Sequence, residues 1–216
     1  MDSSFQAFTV VENQDGSFAS QIISKNIDDL PPGDILVRVA FSSLNYKDAL
    51  SATGHKGVTK SYPHTPGIDA VGTVQDSSHS DFNIGDQVIV SGYDMGMNTA
   101  GGFGEYIRVP KEWVSLLPQG LTIKESIILG TAGLTAGLSV SALDKKNGIE
   151  GRLAVVTGAT GGVGCLGVQL LSKLGAHVTA VTGKTDSEDF LKSIGAVEVI
   201  SREELAQNCR QPLSSG

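Results

Sequence analysis

Short apolar stretches separated by turns fill the first half of the chain. Apolar and other residues alternate most clearly over Ile35–Phe41, which predicts a strand there. Further strands are predicted over 5–12, 18–23 and 68–74 and at the ends of 82–90 and 101–109, with a short helix over about 46–53. Turn residues separate these stretches, among them Gly33, Gly67 and Gly85. This pattern is typical of a small β-barrel rather than of βαβ units.

The pattern changes near Leu121, where helical spacing replaces alternation. Helices are predicted over 122–130 and 132–145, with Thr122 as an N-cap and Glu125 completing a capping box. From Leu153 strands and helices take turns: strands over 153–157, 177–182 and 197–200, and helices over 162–174 and 186–194. Such an alternation predicts the first half of a doubly wound parallel sheet.

A turn of small residues joins the first of these strands to its helix. Ala159, Gly161 and Gly164 occupy a G-x-G-x-x-G fingerprint, with alanine in the first position. Gly161 would let a pyrophosphate approach the backbone, and Gly164 would let the helix lie close to the strand. The candidate cofactor-binding residues are Thr160, Gly161, Gly162 and Val163. The alternative is a tight turn that binds no ligand.

The same turn also fits the fingerprint of short-chain dehydrogenases, through Thr157, Gly158, Gly162 and Gly164. That motif should open the chain, whereas here it begins at Thr157. The family also needs a Tyr-x-x-x-Lys pair, and none of the four tyrosines has a lysine four places on. The sequence therefore argues against a short-chain dehydrogenase.

Composition and charge exclude some functions. The 216 residues carry a net charge of −7, which argues against a nucleic-acid or anionic membrane surface. No apolar run is expected to span a membrane and no signal peptide is recognised, so we expect a cytoplasmic protein. The two cysteines form no metal pattern. The four histidines, His55, His64, His79 and His177, are expected to be exposed.

Six motifs occur in an order that resembles a known family. They are Ser43–Leu50, Pro66–Val74, Gly85-Asp86, Gly102–Tyr106, Gly130–Ala136 and Thr157–Gly164. Together they resemble the medium-chain dehydrogenase/reductase superfamily, and within it the YhdH/YhfP-type quinone oxidoreductases, which include acryloyl-CoA reductases. The resemblance implies a GroES-like β-barrel domain over 1–121 and a partial Rossmann NADP-binding domain with linking helices over 122–206. An irregular tail is expected over 207–216.

The resemblance also bears on zinc. Zinc-dependent members hold the metal at four positions that correspond here to Asn45, Ile68, Asp69 and Gly130. Isoleucine and glycine have no ligand atom in the side chain, so no catalytic zinc is expected. Without a Lewis acid, hydride delivery to an electron-poor double bond or a quinone is favoured over alcohol oxidation. The implied substrate is a small molecule: a quinone, an enone or an acyl-CoA.

Cofactor choice is predicted from the end of the second parallel strand. NAD-binding enzymes place an acidic residue there, whereas this chain has Thr182, Gly183 and Lys184. Arg202 resembles a second phosphate ligand of the family. A hydroxyl with two cations suits a 2′-phosphate, so we expect NADPH. The alternative is an ordinary polar loop.

Three residues beside the first predicted helix are candidates for contact with the nicotinamide or the substrate. The resemblance implies that Tyr46 touches the nicotinamide side, where its hydroxyl could orient the substrate or relay a proton. The alternative is a half-buried tyrosine that packs under the barrel. Asn45 and Asp48 are candidate substrate contacts, or they hold the loop through hydrogen bonds to the backbone.

The number of parallel strands leaves two interpretations open. Only three are predicted, whereas the doubly wound order has six. The chain is therefore expected to be either a truncated but active member of the family or a non-catalytic fragment that at most binds nucleotide. The resemblance allows a homodimer for full-length members.

Overall fold

The computed structural model describes residues 3–184 and 186–208. The chain divides into two compact units, Met1–Thr131 and Ala132–Gly216. We call them the N-terminal and the C-terminal unit and describe each by itself. The predicted domain boundary after residue 121 stays a prediction.

The N-terminal unit is built from antiparallel strands. Strands β1 (Ser4–Glu12) and β2 (Phe18–Asn26) form a hairpin. The others are β3 (Ile35–Phe41), β4 (Asp69–Ser77), β5 (Gln87–Ser91), β6 (Tyr106–Val109) and β7 (Val114–Leu116). They form a five-stranded sheet in the order β6-β3-β4-β5-β7. Helix α1 (Tyr46–Ala52) lies between β3 and β4 in the chain, and short 3-10 helices cover Ile27–Asp29 and Lys111–Trp113.

β3 buries its first three residues in two cores of this unit, Ile35 and Val37 in one and Leu36 in the other, whereas Phe41 at its end is 45% exposed. Ile35 and Val37 are buried while Arg38 is exposed, as the sequence pattern predicts. β4 runs beside β3, and a Cβ at Gly72 would collide with the carbonyl oxygen of Arg38. Glycine at position 72 therefore lets two backbones approach closely.

The C-terminal unit contains a parallel sheet. Its elements are β8 (Leu153–Thr157), α3 (Gly162–Lys173), β9 (His177–Val181), α4 (Glu188–Ser193), β10 (Ala196–Ile200) and α5 (Arg202–Asn208). The strand order β10-β9-β8 is that of the first half of a doubly wound sheet, which confirms the predicted fold class. α3 buries Val168 and Leu171 in the core of this unit.

One edge of this sheet is open. Over the described residues β8 pairs with β9 alone. Leu153 and Val155 on β8 are 85% and 57% exposed. A strand of a parallel sheet is usually buried on both faces, so β8 has the sequence of an interior strand in the position of an edge strand.

Helix α2 (Ile123–Asn147) links the two units along the chain. Thr122 and Glu125 form the predicted capping box: the Thr122 N–H donates to Glu125 Oε2 at 2.8 Å, and the Glu125 N–H donates to Thr122 Oγ1 at 3.2 Å. Gly130 is not helical, with φ of 49°, so α2 is two helices that meet at a break, as predicted from the sequence.

By length and apolar composition alone, α2 could cross a membrane, although no such run was expected from the sequence. An 18-residue window of this helix is only 22% buried. The break at Gly130 leaves neither part with the roughly 20 continuous residues that a membrane span requires. Helix α2 is therefore only weak evidence for a membrane-spanning segment.

Besides the two 3-10 helices, one strand and one α-helix were not predicted. β7 has only three residues, too few for alternation to be recognised. α5 begins after Ser201, whose Oγ accepts the N–H of Glu204 at 3.1 Å while Glu204 Oε2 accepts the N–H of Ser201 at 2.7 Å. This capping box was readable in the sequence. α5 reaches Asn208, inside the region expected to be an irregular tail, and residues 209–216 lie outside the described residues.

Candidate functional site

The turn after β8 is packed as the glycine fingerprint predicts. A Cβ at Gly164 would collide with the carbonyl oxygen of Gly158 and would lie 2.8 Å from the Cα of Ala159. Ala159 is fully buried, and Gly158 has φ of 61°. No larger residue fits at position 164 unless α3 moves away from the strand.

The N-terminus of α3 lies at the surface of the C-terminal unit. Gly161 caps the helix and donates its N–H to the Gly158 carbonyl at 2.9 Å. Gly161, Gly162 and Val163 are exposed, and Thr160 is half-buried beside them. The first N–H groups of a helix have no acceptor within it, and the positive end of the helix dipole favours an anion. The structure thus brings the four candidate phosphate-binding residues together.

The end of β9 meets the start of α5 in a basic corner. The hydroxyl of Thr182 accepts the Lys184 N–H at 3.0 Å. A Cβ on Gly183 would lie 3.5 Å from both Nε and Cζ of Arg202, so the guanidinium group lies against Gly183. Thr182 is buried, whereas Lys184 and Arg202 are exposed. The Arg202 guanidinium therefore lies beside the Thr182–Lys184 segment, which carries one lysine and no acidic residue.

A buried carboxylate organises the N-terminal unit near α1. Asp69, at the start of β4, is fully buried. Its Oδ2 accepts from Ser43 Oγ at 2.6 Å, from Asn45 Nδ2 at 2.9 Å and from the Thr131 N–H at 2.9 Å. Its Oδ1 accepts from Ser91 Oγ and from Thr131 Oγ1, both at 2.6 Å. We call these five residues the Asp69 network.

The hydrogen bonds of the network keep Asp69 ionised. Burial raises the pKa of the Asp69 carboxyl, but the bonds from Ser43, Ser91 and Thr131 outweigh it, so the pKa lies below its usual value. All five bonds come from neutral groups. A buried charge of this kind is stabilised by convergent dipoles rather than by an ion pair.

Asp48 is also buried, and its carboxylate accepts three backbone N–H groups besides a hydrogen bond from the Asn45 side chain. Its Oδ1 accepts the N–H groups of Gly67 and Ile68 at 3.2 and 2.9 Å, and its Oδ2 accepts the Asn45 N–H at 2.8 Å. Burial raises its pKa, and these hydrogen bonds offset only part of that effect. The contacts favour the loop-holding alternative for Asp48. The Asn45 amide instead bonds the side chains of Asp69 and Ser43, so these two bonds do not support the backbone alternative for Asn45.

Tyr46 opens α1 next to this network. It is 80% exposed, and its neighbour Leu44 is 88% exposed. The alternative of a tyrosine half-buried under the barrel is therefore wrong in this structure, because the ring projects into solvent. An apolar cavity of about 540 Å³ lies on another side of α1, lined by Phe8, Leu44, Asn45, Asp48, Ala49, Ala52 and Phe103.

Comparison with known proteins places this architecture in a family. The alcohol dehydrogenase GroES-like domain matches residues 31–119. YhfP of Bacillus subtilis, which carries the name of a quinone oxidoreductase, is 42% identical over 216 residues, covering 99% of this chain and 65% of the relative. Acrylyl-CoA reductase AcuI of Ruegeria pomeroyi is 38% identical over 213 residues, covering 98% of this chain and 64% of the relative.

Solved structures agree with these sequence matches. The YhdH oxidoreductase of Salmonella enterica in complex with NADP aligns with a TM-score of 0.87 at 44% identity, over 92% of this chain and 61% of that one. Bacillus subtilis YhfP with NAD bound aligns with a TM-score of 0.89 at 42% identity, over 94% of this chain and 62% of that one. The chain belongs to the medium-chain dehydrogenase/reductase superfamily. It spans 61–65% of the length of these relatives.

Three of the four positions that the resemblance relates to zinc ligands lie together in this structure: Asn45, Asp69 and Gly130. Asn45 donates to Asp69, and a Cβ at Gly130 would lie 2.9 Å from Asp69 Oδ2. The fourth position, Ile68, directly precedes Asp69 in the chain, and its side chain is buried. Over the described residues no group of three or more His, Cys, Asp or Glu side chains could hold a metal ion. Hydroxyl and amide donors fill the space around the carboxylate instead.

Sequence reasoning missed the other members of the Asp69 network and misjudged one histidine. Ser43 and Ser91 carried no recognisable signal, because each is a single serine far in sequence from Asp69.

His64 was expected to be exposed but is only 5% exposed, since residues 62–67 lie against β1 through the pair of backbone hydrogen bonds between His64 and Val10. Its Nε2 is buried without a hydrogen-bond partner among the described residues.

Proposed function

We propose that this chain is an NADPH-dependent oxidoreductase without a catalytic zinc. It delivers hydride to the activated double bond of an enone or an acyl-CoA thioester, or to a quinone. Relatives named quinone oxidoreductase and acrylyl-CoA reductase, at 42% and 38% identity, support this substrate range. A cytoplasmic location and the absence of nucleic-acid and membrane partners stay predictions.

The basic corner at the end of β9 carries the proposal. Arg202 lies against Gly183, next to Lys184 and the hydroxyl of Thr182. Two cations and a hydroxyl suit the 2′-phosphate that distinguishes NADPH from NADH. The NADP bound to the Salmonella relative supports this assignment, while the NAD bound to YhfP makes the preference a quantity to measure.

Residues at the start of α3 would bind the pyrophosphate of the cofactor, and a residue at the start of α1 would contact the nicotinamide or the substrate. When bound, NADPH supplies the hydride that reduces the substrate. Thr160, Gly161, Gly162 and Val163 would bind the pyrophosphate at the N-terminus of α3. Tyr46, exposed at the start of α1, would contact the nicotinamide or the substrate, and its hydroxyl would orient a carbonyl or relay a proton.

The Asp69 network supports reduction of conjugated carbonyl compounds over oxidation of alcohols. Its carboxylate oxygens already accept five hydrogen bonds, and Ile68 and Gly130 have no ligand atoms in their side chains. A Lewis acid that stabilises an alkoxide would therefore find no complete ligand set. An enone, a thioester or a quinone accepts the negative charge on its own carbonyl oxygen.

Two measurements on the purified chain test the proposal. Fluorescence titration with NADPH and with NADH should show tighter binding of NADPH. NADPH oxidation should then be followed with a quinone, an enone and acryloyl-CoA. Equal affinity for the two nucleotides would contradict the cofactor assignment, and binding without oxidation by any of the three acceptors would contradict the reductase.

A second candidate function is nucleotide binding without turnover. One face of β8 favours it, because the side chains of Leu153 and Val155 lie on the same face of the strand and are exposed. Strands of a parallel sheet are usually covered on both faces, so this face of the nucleotide-binding sheet lacks its usual cover over the described residues. This alternative predicts preferential binding of NADPH with no oxidation in the presence of any acceptor.

A further inference from the structure

The Asp69 network has two distinct sides. On the Oδ2 side, Ser43 and Asn45 bond to the carboxylate and to each other: Asn45 Nδ2 donates to Ser43 Oγ at 2.9 Å. On the Oδ1 side, Ser91 and the Thr131 hydroxyl bond to the carboxylate. Ser43 and Ser91 make bonds of the same length, 2.6 Å, to opposite oxygens. Only Ser43 also contacts Asn45 in these bonds.

The carboxylate fixes the orientation of the Asn45 side chain. Both bonds of Nδ2 point inward, one to Asp69 and one to Ser43. A flipped amide would place its carbonyl oxygen where Nδ2 now lies 2.9 Å from Asp69 Oδ2, and two oxygens would then face each other without a proton between them. Because Asp69 Oδ2 also accepts from Ser43 Oγ and from the Thr131 N–H, it faces Asn45 as an acceptor and allows one amide orientation.

Fixing Asn45 also fixes the start of α1. Asn45 is the N-cap of this helix, and its backbone N–H donates to Asp48, which is held by the N–H groups of Gly67 and Ile68. Tyr46 follows directly and has no support from burial, since its side chain is 80% exposed. The direction in which the Tyr46 ring leaves the helix thus depends on how its backbone is held.

We propose that Asp69 and Ser43 are positioning residues that hold the Asn45 amide in one orientation. They thereby fix the direction in which the Tyr46 side chain leaves α1. The inference rests on the proposed function for the role of Tyr46, and on the hydrogen bonds alone for the orientation of Asn45. In this arrangement the Asp69 carboxylate, surrounded by neutral hydrogen-bond donors, orients the neighbouring side chains. It does so at the positions that the resemblance relates to metal ligands.

Ser43→Ala and Ser91→Ala form a matched pair for the test. Each removes one hydroxyl that donates to Asp69 at 2.6 Å, so both should lower the thermal midpoint by similar amounts. Only Ser43→Ala removes the contact with Asn45. Exchange of the Asn45 side-chain amide protons, measured by NMR on the labelled full chain and assigned by their loss in Asn45→Asp, reports the orientation without any need for turnover.

The expected result is an exchange rate about tenfold or more higher in Ser43→Ala and unchanged in Ser91→Ala, since a tenfold change corresponds to about 1.4 kcal/mol, close to the worth of one hydrogen bond in a charged network. In the reductase assay, Ser43→Ala should lower kcat about tenfold with an unchanged NADPH dissociation constant. Ser43→Thr, which keeps the hydroxyl, should restore both readouts.

Equal exchange rates for Asn45 in the two alanine variants would overturn the inference, as would an unchanged kcat in Ser43→Ala. If the wild-type chain oxidises no NADPH, the proposed function fails and the aiming of Tyr46 fails with it. The orientation of Asn45 is then still decided by proton exchange.

Discussion

Gly130 lies so close to Asp69 that no side chain fits between them. A Cβ at position 130 would lie 2.9 Å from Asp69 Oδ2, and Gly130 has φ of 49° and ψ of −155°. These angles suit glycine alone. The break in α2 lets the next residue, Thr131, donate its N–H to the same carboxylate at 2.9 Å. The break in α2 at Gly130 therefore supplies a hydrogen bond to the buried Asp69 carboxylate.

Gly130→Ala should destabilise the protein because alanine is strained at this φ and its methyl group meets the carboxylate. We expect a loss of about 1–3 kcal/mol in the free energy of unfolding, measured by urea denaturation. Gly137→Ala is the matched control, since a Cβ there meets nothing within 4 Å and the residue lies within the helix. That variant should gain about 0.5–1 kcal/mol. Similar changes in the two variants would contradict the account of Gly130.

Much of the fold was predictable because it depends on local pattern. Strands β3 and β8 begin and end where alternation and the apolar run predict. The Thr122–Glu125 capping box also matches the structure. The Asp69 network was not predictable, because its contacts join positions up to 62 residues apart through single polar side chains. Burial, which only the fold determines, is what makes those side chains informative.

His64 should make stability depend on pH. Burial, together with the charge of Lys25, holds the pKa of His64 below its ordinary value of 6.5. The unfolded chain therefore binds a proton at a pH where folded His64 remains neutral. Its contribution is fully present above pH 6.5 and is lost as the pH falls below that value. The midpoint of urea unfolding should be lower at pH 5.5 than at pH 7.5.

His64→Gln removes the titrating group and should reduce this pH dependence. His177→Gln, at an exposed position on β9, is the control and should keep the wild-type difference between the two pH values. An undiminished pH dependence in His64→Gln would show that other groups cause it. A midpoint lowered equally at both pH values would report only the lost packing of the buried ring.

The basic corner should discriminate between nucleotides. Arg202→Ala and Lys184→Ala should each raise the NADPH dissociation constant about tenfold to a hundredfold, because a charge-assisted hydrogen bond is worth about 1.5–3 kcal/mol. NADH has no 2′-phosphate, so its dissociation constant should stay unchanged. Lys192→Ala removes an exposed lysine paired with Glu188 on α4 and should affect neither nucleotide. Equal weakening for NADPH and NADH would place Arg202 and Lys184 outside the 2′-phosphate site.

Tyr46→Phe separates the hydroxyl from the ring. The side chain is 80% exposed, so the thermal midpoint should not change. If the hydroxyl orients the substrate or relays a proton, kcat should fall about tenfold to a hundredfold, in the range typical of such groups. Tyr93→Phe is the control: Tyr93 is 62% exposed and stacks on Trp113 with ring centroids 5.4 Å apart, so its ring contact survives the change. Full activity in Tyr46→Phe with loss in Tyr46→Ala would assign the role to the ring, and the proton would then have to come from solvent or from another residue.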